Sequence, residues 1–107
     1  MKNKQIIEKL IAHGEKIQQY CAGYPMELFS QNPMLIEACV FNLSQMGELV
    51  HHLDEEYQHT HPEIPWRAIY GLRNRIVHDY DGVNIDLIRQ IIHEDLDSLL
   101  QQLRDLP

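Results

Sequence analysis

Positive charge is what this sequence has least of. Nine Lys and Arg stand against sixteen Asp and Glu, a formal net charge of −7, and no lysine follows Lys16. Generic nucleic-acid binding, driven by clustered Lys and Arg that displace counterions, is disfavoured for the surface as a whole. Long hydrophobic runs are missing too. None approaches the ~18 residues of a membrane span, and no signal-peptide layout opens the chain, so a cytoplasmic protein without membrane association is expected. Cysteine is scarce: Cys21 and Cys39 both lie in apolar-patterned segments, where buried thiols are expected rather than a disulfide or a metal pair. No strand pattern and no internal repeat is visible anywhere.

What is present suits one folded domain spanning residues 1–107. Apolar residues make up 44% of the 107, enough for one core, and the chain is too short for two. From about Lys4 to Cys21 the spacing of Ile6, Ile7, Leu10, Ile17, Tyr20 and Cys21 predicts an amphipathic helix, with Gly14 weakening its middle. Gly23-Tyr24-Pro25 breaks it, and a short helical turn is expected around Met26 to Phe29. Asn32-Pro33 reads as an N-cap followed by proline at the first helical position. Leu35, Ile36, Cys39, Val40, Leu43, Met46, Leu49, Val50 and Leu53 then form a broad stripe on a central helix.

Residues 54–64 are polar and read as a loop. Pro65 opens a third helix through Trp66, Ile69, Leu72, Ile76 and Val77, ending near His78 to Tyr80, and Asp81-Gly82 reads as a turn. Asn84 caps a last helix lined by Ile85, Ile88, Ile92, Leu96, Leu99 and Leu103 and widened by Leu87, Ile91 and Leu100. The expected fold is an all-α bundle of four to five helices. Apolar surplus on the second and last helices is a reason to expect a partner, a homodimer or a higher homo-oligomer, although core packing explains a wide stripe about as often.

The scarce positive charge is not evenly spread. Three of the five arginines, Arg67, Arg73 and Arg75, fall within nine residues. The run Arg73-Asn74-Arg75-Ile76-Val77-His78-Asp79-Tyr80 joins a permanent cation, an imidazole and a phenol. Arginine is shaped to grip a phosphate through two parallel hydrogen bonds, and histidine can take and give a proton near neutral pH. The pair is a minimal kit for metal-free phosphodiester cleavage. A plainer reading also exists: Arg73 could pair with a nearby acid, His78 could sit at a helix end for the macrodipole, and Tyr80 could seal the core.

Arg, four residues, His, one residue, Tyr resembles the signature of the HepT-like toxins within the HEPN superfamily of helical domains. Pro65-Trp66-Arg67-Ala68-Ile69 and Gly71-Leu72-Arg73-Asn74 resemble that family's lead-in, and Gly47-Glu48 and the segment from Val83 to Ile88 fit as well. The resemblance implies a HEPN-like fold and a toxin ribonuclease of a toxin–antitoxin pair, cutting tRNA or mRNA in a cleft shared by two protomers. It gives Arg73 and His78 the chemistry, Asn74, Arg75 and Arg67 supporting contacts to RNA, and no cofactor or metal. It also implies a nucleotidyltransferase antitoxin that transfers AMP onto Tyr80. The rival reading is a non-catalytic helical module, or an antitoxin, that docks on a nucleotidyltransferase.

Helical geometry constrains the site. At about 100° per residue, Arg73 and His78 stand roughly 140° apart around a regular helix. They can converge only if the helix ends before His78 or if two chains contribute. The Glu48-x-x-His51 spacing, with His52, His59 and His61 nearby, resembles half of a di-iron bundle site, but such bundles need two of these motifs and this sequence has one.

Overall fold

The computed structural model describes residues 2–78 and 82–107. Helix α1 runs Asn3–Cys21 and α2 runs Pro33–His51, joined by a 3₁₀ segment, Met26–Gln31, where the short turn was expected. Asn32 caps α2 as read, its side-chain oxygen accepting the Leu35 amide at 3.1 Å. Gly14 belongs to the packing surface: a Cβ there would lie 2.5 Å from Cδ2 of Leu100. Tyr20, expected on the inner face, is exposed.

The segment expected as a loop contains a helix, α3, Glu55–Thr60. It buries none of its residues, so it carries no apolar period for a sequence reading to find. Asp54, before it, is tied to Asn3 at the start of α1 by hydrogen bonds of 3.1 and 3.3 Å. Trp66 then anchors the next element by donating its indole N–H to the His61 carbonyl at 2.9 Å.

The third helix departs most from expectation. It divides at Gly71 into α4, Trp66–Tyr70, and α5, Leu72–Ile76, and ends at Ile76. Backbone turns extended at Val77 (φ −107°, ψ 123°). Val77–His78 (β1) pairs antiparallel with Gly82–Val83 (β2), in the register Val77 with Val83 and His78 with Gly82. The Asn84 amide adds a further bond to the Ile76 carbonyl at 2.8 Å. Two-residue strands are too short to show alternation, which is why an otherwise helical sequence conceals them. Gly82 takes φ +83°, a conformation glycine adopts without penalty.

After β2, Asn84 caps α6, Ile85–Gln90, by accepting the Leu87 amide at 3.1 Å. Helical backbone continues through a π segment, Ile91–Asp95, into α7, Leu96–Arg104. The π segment explains a change in the buried set. Ile91 and Leu100 enter the core, whereas Ile92 and Leu99, placed there by regular spacing, are half-buried. The core positions run Ile88, Ile91, Leu96, Leu100, Leu103, and the wide step from Ile91 to Leu96 coincides with the i→i+5 turn. The fold is all-α, HEPN-like, with α1, α2 and the α6–α7 rod around one core. Among the described residues, no helix is long and apolar enough to cross a membrane.

Cys39 is buried and Cys21 half-buried, as free thiols with Sγ atoms 3.9 Å apart.

Candidate active site

Gly47 determines how α4 meets α2. A Cβ at Gly47 would lie 2.9 Å from the Ile69 carbonyl oxygen and 3.1 Å from that of Tyr70. Only glycine admits the end of α4 so close to the middle of α2. That contact sets the start of α5, and with it Arg73 and Asn74.

Arg73 and Asn74 line one cleft of about 510 Å3 with Ser44, Gln45, Gly47, Glu48, His51 and Tyr70. On its other side Arg73 lines a more apolar cleft with Ile36, Val40, Phe41, Val77 and Val83. Arg73 therefore stands on the ridge between a polar and an apolar recess. His78 follows on β1, exposed, while its neighbour Val77 turns inward. Because α5 ends two residues before His78, the 140° separation of a regular helix no longer applies. That removes the helical constraint within one chain, while His78 lines neither of the two Arg73 recesses.

The other arginines are placed differently. Arg75 donates from Nη2 to the Ala68 carbonyl at 3.1 Å and lines a separate groove with Met46, Ile69, Ile91, Glu94 and Asp95. Arg67 is exposed on α4. Neither lines the polar or the apolar recess on which Arg73 stands. Tyr80, the expected modification site, lies outside the described residues.

Three residues of the polar cleft were not read as partners of Arg73. His51, at the end of α2, lies against the Tyr70 ring with centroids 5.4 Å apart and planes inclined at 43°. Glu48, one turn before His52, approaches its Nε2 at 3.7 Å. The Glu48-x-x-His51 spacing was the available signal, but it suggested metal ligation. Among the described residues no three His, Cys, Asp or Glu side chains gather as a metal site would require.

Comparison with known proteins identifies the family of the chain. The family model described as "Ribonuclease HepT-like" matches residues 10–106. A protein of Caldanaerobacter subterraneus subsp. tengcongensis named "Putative RNase TTE0752" is 30% identical over 100 residues, covering 94% of this chain and 89% of its own. "Putative RNase MJ1380" of Methanocaldococcus jannaschii is 28% identical over 99 residues, covering 92% and 91%. "Probable ribonuclease HepT" of Thermococcus cleftensis is 27% identical over 97 residues, covering 91% and 88%. No solved structure gives a significant match.

Proposed function

Because this chain belongs to the HepT-like ribonuclease family, we propose that it is the toxin ribonuclease of a toxin–antitoxin pair and cuts tRNA or mRNA without a metal ion. The observation that carries the reading is the ribonuclease family match across residues 10–106, which contains the whole Arg73-to-Tyr80 motif.

His78 acts as general base on the ribose 2′-hydroxyl or as general acid on the leaving oxygen. Arg73 neutralises the charge that develops on the phosphorane. Asn74, in the same cleft as Arg73, orients His78 or hydrogen-bonds the phosphate. Attack of the 2′-oxygen on phosphorus breaks the bond to the 5′-oxygen and leaves a 2′,3′-cyclic phosphate. DNA, lacking that hydroxyl, is not cut. Arg67 and Arg75 serve flanking phosphates from outside the Arg73 cleft.

The active form in this reading is a homodimer. Its support is an apolar surface on α2: Met34 and Phe41, seven residues apart on one face, are 83% and 59% exposed. Phe41 also lines the recess against Arg73 and Val77, so a second copy seated there meets the motif. A nucleotidyltransferase antitoxin neutralises the toxin by transferring AMP to Tyr80, placing bulk and negative charge beside the motif. The net charge of −7 favours protein contact elsewhere on the surface and is the basis of the second reading, a non-catalytic module docked on that same partner.

The experiment is cleavage of total tRNA in the presence of a chelator by the wild type, His78→Ala and Arg73→Ala. Discrete fragments with cyclic phosphate ends are expected from the wild type. Each variant should be slower by about 10²-fold or more. Undiminished cutting by His78→Ala overturns the assignment, and absence of cutting by the unmodified wild type favours the module. Tyr80→Phe should cut RNA normally and escape AMP transfer.

A further inference from the structure

The polar cleft beside Arg73 contains more than a phosphate site needs. Tyr70 leaves 51% of its surface exposed, and His51 stands beside it with ring centroids 5.4 Å apart. The two aromatic rings form one wall. That wall is held in place, because the Tyr70 carbonyl packs on the bare face of Gly47 and leaves α4 little room to shift against α2. Glu48 and Arg73 give the cleft an anionic and a cationic residue.

A ribonucleotide is polarised in a matching sense. Its phosphate is drawn to Arg73 and repelled by Glu48. Its base offers a π-face to Tyr70 and His51, and the N–H groups of guanine, adenine or cytosine are donors that a carboxylate accepts. The cleft, about 510 Å3, falls within the range of about 300–1,000 Å3 typical of small-ligand sites.

We propose that Tyr70 and His51 form a stacking subsite for one unstacked base of single-stranded RNA, next to the phosphate at Arg73. Glu48 reads the donor edge of that base. The inference rests on the ribonuclease reading of the cleft and deepens it by naming the substrate class. Bases inside a duplex are already stacked on their neighbours, so the substrate is a loop, bulge or end.

Binding is measured with a short 2′-O-methyl oligoribonucleotide, which resists 2′-oxygen attack, and with an abasic ribose-phosphate oligomer of the same length. Tyr70→Ala should bind the base-containing oligomer at least about fivefold more weakly than the wild type, and Tyr70→Phe should bind it normally. The abasic oligomer should bind the wild type and Tyr70→Ala alike. Equal affinity of wild type and Tyr70→Ala for the base-containing oligomer overturns the subsite. So does an equal loss with both oligomers, which would mark a displaced helix. Cleavage of unmodified RNA in parallel separates the two proposals. Wild-type cutting with an unchanged KM in Tyr70→Ala leaves the ribonuclease standing and removes the subsite. A wild type that neither binds nor cuts single-stranded RNA removes both.

Discussion

Cys21 and Cys39 sit 3.9 Å apart at their sulfurs, one half-buried and one enclosed. A thiolate on Cys21 accepts a hydrogen bond from Cys39, which lowers the Cys21 pKa despite partial burial. The same bond, together with burial, pushes Cys39 far up. Thiolates are the species that alkylate, so the two should differ sharply in reactivity. With iodoacetamide, Cys21 should label with a half-maximal rate at a pH below that of an ordinary thiol. Cys39 should label only after unfolding. Peptide mapping by mass spectrometry reads both, and equal labelling of the two in the folded protein contradicts this account. A neighbouring polar contact is subject to the same close packing. Asn42 is the one buried polar side chain among the described residues, and it donates to the Ala38 carbonyl while its oxygen takes the Nδ1–H of His13, both at 2.8 Å. Nothing in the apolar spacing of α2 pointed to that pair. An isolated Asn on an inward face reads as a break in the stripe until its partner on α1 is placed opposite.

At the scale of elements, Gly47 is where sequence and site meet. An alanine in the interior of a helix is ordinarily favoured over glycine by about 1 kcal/mol. Here the added methyl would press on two backbone carbonyls, which cannot rotate away as a side chain can. Gly47→Ala should therefore destabilise by about 1–3 kcal/mol in urea unfolding. RNA cleavage should fall with it, since α4 and the start of α5 must move. A more stable Gly47→Ala would show that α4 is not locked against α2. The long helices were legible because each buries a stripe: α1, α2 and the α6–α7 rod all show it in their spacing. The division at Gly71 and the end at Ile76 were not. Trp66, Ile69, Leu72 and Ile76 are all buried, at intervals that an unbroken helix would give. The spacing and chemistry of the sequence singled out Arg73, Asn74 and His78, and the first two line one cleft. The contact of Tyr70 with His51 was not legible, because it depends on the approach of two helices at one glycine, a distance that no local pattern encodes.

For the molecule as a whole, an acidic protein must grip RNA with few cations, and assembly into the proposed dimer solves that problem. Two copies meeting at the α2 face beside Arg73 would place two arginines and two histidines at one cleft. Phe41 is the residue to test, being 59% exposed and part of the Arg73 recess. The wild type should sediment as a dimer at micromolar concentration. Phe41→Glu should sediment as a monomer with its helical content intact, because more than half of this residue's surface already faces solvent, and its cleavage rate should drop. A dimeric Phe41→Glu protein moves the interface elsewhere. Mixing Arg73→Ala with His78→Ala then asks which chain supplies what. In a shared cleft the mixed dimer retains one Arg73 and one His78, and part of the activity returns. With two self-contained sites every site lacks one group, and mixing restores nothing. Early termination of α5 permits the self-contained arrangement sterically. The charge balance favours the shared one, because on a body of net charge −7 a second protomer doubles the cations available to the RNA backbone.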